Sequence, residues 1–568
     1  MRIKALLVAS TLALSFFSCS VVSRARDNHQ IFKAPQFDNL GSFHYQVSTG
    51  IPLAQRFFDQ GLVLFYGFEW GESVRSFREA TRLDPHCGMC YWGLALALGN
   101  KINAPLTGHE YGDAQSAIQK ALSLKKLATP KEQDYIKALS LRFKHAPKLS
   151  NKVGPFSCHT SSSQHEESTP QELTAYSEAM QKIVKKYPQD NVAHGIFVYA
   201  LFNRINWNFW DVKGNINPVT PTIIKTIQAI LAKDNLDIGG NHYYIHVMES
   251  SSHPSDAMQS ADRLNTLVPG SEHLVHMPAH IYFLTGRYHQ ASNSNLQAIT
   301  TYQRYNETCK AQGFEPEINY LYFHNFDFLR STAIMEGRKK LALWAAKNLI
   351  DKPFANWLAR DATLQWFIPI PYYVEARFGL WKEILHEPMP SQAAQYALGM
   401  WHYARGLAKA GTGEIKAAKN ELLQLQQIIT KGTTDRNLGK AGHNLLKIAQ
   451  ATLMAIIANQ QGDEKLTLAQ LSLADKIQHD MGYHEPPDWY FPLKEIRGDA
   501  YLKWGHLKEA IQMYNEDLKQ YPRNGWALYG LAKALRKIGK NQQAEQVEAE
   551  FKEAWKYADS PSPVTLFK

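Results

Sequence analysis

A 34-residue spacing sets the strongest limit on what this chain can fold into. Gly498, Tyr501, Gly505, Ala510, Tyr514 and Pro522 mark one unit, and Gly539 and Ala544 return 34 residues after Gly505 and Ala510. An earlier stretch, FFDQGLVLFYGFEWGESVRSFREATRLDP, carries Gly61, Phe77, Ala80 and Pro85 at matching offsets. A period of this size marks helix-turn-helix repeats: small residues let two helices approach, larger apolar residues fill the gap, and a proline stops the second helix. Further units lie around Gly286-Arg287-Tyr288 with Ala291, around Gly337-Arg338 with Ala342, and around Gly406, Gly413 and Ala418, with a degenerate pair near 171–204. Strands have no place in the pattern. It predicts an all-α chain, a helical-repeat solenoid of antiparallel helix pairs.

With 568 residues the chain is too long for one ordinary domain. The repeats divide it into an N-terminal array over 46–350 and a C-terminal array over 351–568. The stretch from 145 to 171 is polar, Ser-rich and aperiodic, and reads as a surface loop. The segment from Trp207 to Pro221 reads as an irregular insertion whose Trp207, Phe209 and Trp210 pack onto the array. In HEPPDWYFP, 484–492, prolines break the helix and the rings bury area, so the run is expected to cap the terminal repeats, with a ligand role for Trp489 the lesser reading.

The first residues, MRIKALLVASTLALSFFSCS, give a basic start (Arg2, Lys4), an apolar stretch and then small residues, the layout of a secretory signal over 1–19. Cys19 directly after Phe16-Phe17-Ser18 resembles a bacterial lipoprotein lipobox with Phe in place of the usual Leu, so lipidation at Cys19 and simple cleavage are both open. Residues 20–45 would then be a tether. No later run reaches the roughly 18 consecutive apolar residues of a spanning helix. The expected location is outside the cytoplasm of a bacterium, periplasmic or anchored to the outer membrane through an N-terminal lipid.

Lys and Arg total 62 against 52 Asp and Glu, a net charge of +10, but the basic residues are scattered and form no nucleic-acid arm. Cys87, Cys90, Cys158 and Cys309 are too few for a disulfide framework. Cys87-Gly-Met-Cys90 has CxxC spacing without a second CxxC to complete a zinc site, and is read as a local disulfide or two packed thiols.

The chemistry is concentrated in 241–283. His242, His246 and Glu249 stand at i, i+4 and i+7, on one face of a helix, and His273, His276 and His280 stand at i, i+3 and i+7. His276 follows His242 by 34 residues and His280 follows His246 by 34, so the two pairs occupy equivalent places in consecutive units. The equivalent places are Phe58 and Leu62 in the first unit and Glu495 and Asp499 near the end, so the histidines are not a general feature of the repeat. Packed helices lie roughly 8–10 Å apart and metal–imidazole bonds are about 2 Å long, so imidazoles from both helices can share an ion. His242, His246, Glu249, His276 and His280 form the expected ligand set, for Zn, Fe, Mn or Cu, mononuclear or dinuclear. With one position open to water, Glu249 or Asp327 would be the candidate catalytic base. The order is not HExxH, so no metalloprotease roles are assigned. Against this stands ordinary lining, histidines packed or hydrogen-bonded without metal. His253 and His289 fall off this face and read as surface residues, and His402 reads as packing.

The runs FDQGLVLFYGF, REATRLDPHCGMCYWGLALALG, NHYYIHVMESS, HLVHMPAHIYFLTGRY and YPRNGWALYGLAKALR resemble those of a family of exported bacterial tetratricopeptide-repeat (TPR) proteins, over most of 40–550. The resemblance implies a TPR-like solenoid and a concave groove faced by positions 2, 5, 9 and 12 of each first helix. On that count His242 and His276 are at 5, His246 and His280 at 9, Glu249 at 12, and His273 and His324 at 2, with Asp327 at 5 in the next unit. His273, His324 and Asp327 thus form a secondary set in the same groove. The chain departs from the family pattern in its longer Ser-rich loop and in Asp327, where another histidine is expected.

The leading expectation is an exported repeat protein that binds a peptide or protein in its groove with a metal held by the paired histidines. The alternatives are a metal-dependent hydrolase or oxygenase on the same scaffold, favoured by an enclosed cavity over the histidines, and a metal-free assembly scaffold.

Overall fold

A computed structural model describes residues 33–99, 101–102, 108–144, 169–316, 321–350, 362–432 and 438–567. The signal segment with Cys19, Cys158 and most of the Ser-rich loop lie outside the described residues, as does the stretch 351–361 at the expected boundary between arrays.

Helices follow one another as antiparallel pairs: Pro52–Tyr66 on Trp70–Leu83, Pro170–Lys186 on Asn191–Ile205, Tyr288–Ala311 on Leu321–Met335, Gln395–Gly411 on Ile415–Lys431, and Gly525–Lys537 on Asn541–Ala554. No named strand occurs among the described residues, and the fold is an all-α, TPR-like solenoid. No helix among them is long and apolar enough to cross a membrane.

The repeat register has a visible physical cause. The ring of Phe77, on the second helix of the first pair, lies between Gly61 of its own first helix and Gly93 of the next one. A Cβ at Gly61 would stand 2.9 Å from that ring, and one at Gly93 would overlap it. The same wedge recurs at the other end of the chain. Tyr514 fills the space left by Gly498, where a Cβ would stand 2.6 Å away, and by Gly530, where it would overlap. Each glycine pair is 32 residues apart, so one buried aromatic fixes both the pair and the step to the next pair.

The turn within a pair needs a left-handed residue. Gly505 (φ +82°) and Gly539 (φ +79°) supply it, each seven residues after a small residue of the first helix. In the first unit that slot, seven residues after Gly61, holds Phe68, with φ +55° and its side chain buried.

Within the compact unit Ala34–Lys568, residues far apart in the chain meet. Trp526 Nε1 donates to the Ile334 carbonyl at 2.9 Å, the Lys340 amide donates to Asp559 at 2.9 Å, and His289 stacks on Tyr557 at 3.7 Å. A Cβ at Gly286 would overlap Pro522. At the other end, the Gln36 amide donates to Gln312 at 2.8 Å and Gly270 N donates to the Asn39 carbonyl at 2.8 Å. The part of the expected tether from 34 to 45 is therefore packed on the array, with Ala34 and Leu40 buried. One hydrophobic core runs from Ile299 to Phe567, through both sides of residue 351.

Trp489, Tyr490 and Phe491 are buried in that core, as the capping expectation requires. Trp207 and Phe209 pack on the array, with Trp207 Nε1 donating to the Ile102 carbonyl at 2.9 Å. Cys87 and Cys90 form a disulfide. His289 is not a free surface residue: it lies 2.9 Å from the Glu336 carboxylate and is covered by Tyr557.

Candidate metal centre

The helix Ile238–Glu249 starts where Asp237 accepts a hydrogen bond from the Gly240 amide at 2.7 Å. Gly239 lets its backbone close on Tyr66, since a Cβ there would stand 2.8 Å from the Tyr66 ring. That approach delivers His242 to the Tyr66 carbonyl, 2.6 Å from Nδ1. In the next unit the histidine-bearing helix is broken into Glu272–His276 and Pro278–Leu284, because Pro278 has no amide hydrogen to donate. The break keeps His273 and His276 on one segment and His280 on the other. His324 comes from Leu321–Met335.

These six histidines form two triads. Ligand atoms of His242, His246 and His273 lie within 4.8 Å of one another, as do those of His276, His280 and His324. His242 Nε2 is 3.1 Å from His273 Nε2, His276 Nε2 is 2.9 Å from His280 Nε2, and His324 Nε2 is 3.1 Å from His276 Nε2. With metal–nitrogen bonds of about 2.0–2.1 Å, ligand atoms sit about 3.3 Å apart around a tetrahedral ion and about 2.9 Å apart at right angles. The observed separations fall in that range. The triads adjoin, with ring centroids of His273 and His276 6.0 Å apart and those of His246 and His280 6.2 Å apart.

The hydrogens on the rings follow from what the Nδ1 atoms face. A carbonyl oxygen only accepts, so His242 Nδ1 carries hydrogen toward Tyr66. Asn295 donates its Nδ2 to the Ala291 carbonyl at 2.8 Å, which leaves Oδ1 to accept from His276 Nδ1 at 2.8 Å. Glu249 Oε1 is 2.7 Å from His246 Nδ1, and its Oε2 is 2.6 Å from His280 Nδ1. With hydrogen on Nδ1, a neutral imidazole presents a bare lone pair at Nε2. The Nε2 atoms of His242 and His276 are thus lone pairs, and His276 aims its own at His280 Nε2, 2.9 Å away. Oxygen acceptors behind the rings are the usual support of a histidine ligand.

Burial agrees. Five of the six histidines have no exposed surface and His324 has 4%. Burial first, and then the charge of neighbouring imidazoles, pushes His242, His273 and His276 well below the usual 6.5, so these rings stay neutral and able to ligate. Phe68 packs over the first triad, 4.6 Å from His242 and stacked on His246 and His273, and Phe328 packs over the second, 5.2 Å from His276 and 5.0 Å from His280. Trp207, at φ +63°, stands 4.9 Å from His246. Two of the four non-glycine residues with left-handed backbone among the described residues therefore touch the first triad, the kind of place where strain is kept for function.

The grouping differs from the sequence expectation. His242, His246, His276 and His280 are not gathered in a single group but divide between the triads, each completed by a residue read as secondary, His273 or His324. Glu249 lies behind the rings on the Nδ1 side, and Asp327 is held by Arg330, whose Nε is 3.0 Å from Oδ1. Neither carboxylate faces the Nε2 atoms. The histidines also do not line an open groove: they are enclosed. Phe68, Phe328, Asn295 and Tyr483, whose hydroxyl is 3.4 Å from Glu249 Oε2, were not singled out from the sequence. Only Phe68 left a trace there, as a bulky residue in a slot that later units give to glycine.

The sequence matches no known family model and no curated protein. Matching solved structures include the TPR domain of P58(IPK), at 11% identity over 86% of this chain and 99% of that chain, with a TM-score of 0.21. Yeast Tom70 matches at 11% identity over 88% of each chain, with a TM-score of 0.29. The APC/C hetero-tetramer Cut9-Hcn1 matches at 10% identity over 90% of this chain and 95% of that chain, with a TM-score of 0.27.

Proposed function

We propose that this TPR-like protein holds two transition-metal ions side by side, one in each histidine triad, and uses their open coordination positions on a small molecule. The observation that carries the reading is the pair of buried histidine triads, the ligand atoms of each within 4.8 Å of one another, with oxygen acceptors behind His242 and His276 at Nδ1. Three protein ligands leave a fourth position open, the arrangement of catalytic sites. The phenylalanines over each triad keep the chamber dry, which strengthens any polarisation by the ions. All-imidazole sets suit Zn, Cu or Fe better than Mn, which prefers oxygen donors. Glu249 and Asp327 are already engaged by other side chains, so neither is assigned the part of a catalytic base.

The mature chain, without a histidine tag, is expected to carry about two metal ions by elemental analysis. Alanine at His242, His246 and His273 should remove one equivalent, and alanine at His276, His280 and His324 the other. A chain that takes up no ion, or a triple variant that keeps both, would sink the reading.

A second reading, a partner-binding scaffold, rests on exposed Leu423, Leu466 and Leu473 on the helices Ile415–Lys431 and Glu464–Met481. A peptide on the concave side would have to displace buried packing to touch the histidines, so contact with them forms no part of it. Serine at all three leucines should abolish co-purification of a partner if this surface is used. Export, with or without a lipid on Cys19, is part of the same proposal, and mass spectrometry of the mature N-terminus decides between a lipid and simple cleavage.

A further inference from the structure

Three buried hydrogen-bond donors around Tyr373, on the helix Ile370–Arg377, have no acceptor among the described residues. The first is Arg330, on Leu321–Met335, the helix that also carries His324. Its Nε, 3.0 Å from Asp327 Oδ1, and its Nη2 both donate to that carboxylate, which fixes the plane of the guanidinium and leaves Nη1 without a partner. The second is Trp489, whose buried Nε1 has no partner and whose ring centroid lies 6.3 Å from that of Tyr373. The third is a hydroxyl hydrogen. Tyr373 and Tyr396 set their hydroxyl oxygens 3.0 Å apart, so one donates to the other and the accepting hydroxyl keeps a hydrogen that nothing receives. Arg330 is near enough to Tyr373 to draw its hydroxyl down against the burial that pushes it up.

Two carboxylates whose charge reaches Tyr373 are engaged by other groups. Asp327 holds Arg330 itself, and Asp488 lies 2.8 Å from His484 Nδ1. Native interiors leave few buried donors unsatisfied, because each one costs its full desolvation. Three at one place, with no acceptor among them, call for a group that only accepts. An ionised carboxylate is such a group, with two oxygens that take about four hydrogen bonds, and the guanidinium edge is the donor that matches it best. Guanidinium, indole and phenol all keep their hydrogens at neutral pH. The walls beside the donors are flat: Tyr490 stacks on Tyr373 at 4.7 Å and Trp366 on Tyr396 at 5.5 Å.

We propose that Arg330, Trp489 and the Tyr373–Tyr396 pair form a subsite for the carboxylate of a small planar molecule, whose other end is presented to the second triad. Arg330 follows His324 by six residues, about 9 Å of helix rise, so a carboxylate held here keeps the far end of its molecule within reach of that triad. What happens at the far end rests on the two-ion reading above. Asp327 is then neither base nor ligand but the group that orients Arg330.

The test uses the full mature chain, freed of metal and given a day to equilibrate with each probe because the donors are buried. Benzoate and benzamide are titrated separately by calorimetry. They share a shape, but the amide replaces one acceptor oxygen with a donor. The expected result is one benzoate per chain, with benzamide weaker by about tenfold or more. Trp489→Phe keeps a ring and removes one donor, and should weaken benzoate several-fold. Arg330→Lys keeps the charge and loses the fork, and should weaken it by about tenfold or more. Melting curves show whether each variant is folded. Equal affinity for the two probes, no binding of either, or a folded Arg330→Lys chain that binds benzoate as the wild type does would overturn the subsite. The comparison of probes on the wild type stands without the variants, so one that fails to fold leaves the test intact. Benzoate binding by a chain that takes up no metal would sink the two-ion reading and keep the subsite. Uptake of two ions without benzoate binding would do the reverse.

Discussion

His276 and His280 point their Nε2 atoms at each other across 2.9 Å, and Asn295 Oδ1 takes the hydrogen of His276 Nδ1, which leaves the His276 ring a lone pair on that side. On the two-ion proposal a cation lies against it. Replacing His276 by Ala should remove the second-triad ion and strand Asn295 Oδ1, costing about 1–3 kcal/mol in the metal-free chain. In the wild type, metal at a hundredfold excess over Kd should add about 2.7 kcal/mol per site. Thermal melts with and without metal should show the variant losing one of two such increments, and an unchanged metal response would contradict the assignment.

Phe68 offers a comparison in which the usual order of two substitutions reverses. Alanine there loses the ring and keeps the left-handed backbone, whereas glycine loses the ring and relieves the backbone. Both variants should be less stable than the wild type by about 3–5 kcal/mol for the lost ring. The glycine variant should exceed the alanine variant by about 1 kcal/mol in chemical denaturation. Equal stabilities would mean that the turn has relaxed and stores no strain.

The wedge at Phe77 sets a third expectation. Gly93→Ala should cost about 1–3 kcal/mol, because its new methyl meets the ring of Phe77 in a packed interface. Adding Phe77→Leu should recover part of that loss, so the double variant is more stable than the two single effects predict when summed. Strict additivity in urea denaturation would show that the glycine and the ring are not in competition.

Glu421 gives a pH prediction away from the histidines. Burial raises its carboxyl, but hydrogen bonds from His402 and Lys409 and the charge of Arg405 overcome this and hold it at about 2. The folded value lies below the unfolded one, 4.5, so the group contributes stability above pH about 4.5, and that contribution is lost as pH falls toward about 2. The full effect is at most about 3 kcal/mol. Glu421→Gln should be less stable at neutral pH and should show a shallower fall in stability between those two values.

Much of the architecture was legible because the repeat is written in residues that act through size alone. Gly498, Tyr514 and Gly530 announce close helices wherever they fall, and the 34-residue interval carries the pattern along the chain. The six histidines were legible as a group for the same reason, since His276 and His280 repeat His242 and His246 one unit later. Their division into triads was not. It depends on the break at Pro278 and on which side of each imidazole faces an oxygen, and ring orientation leaves no mark in the spacing. Nor could the enclosure be read, because the contacts that make it, such as Tyr483 to Glu249, join residues 234 positions apart.

Enclosure of the triads turns metal content into a matter of timing. With Phe68 and Phe328 over the rings and residues 483–492 bringing Tyr483 to Glu249 from far along the chain, an ion passes in or out only when part of the array opens. On the two-ion proposal, uptake by the metal-free chain and loss from the loaded one are both set by the rate of that opening, so exchange is slow where binding at an open groove would be immediate.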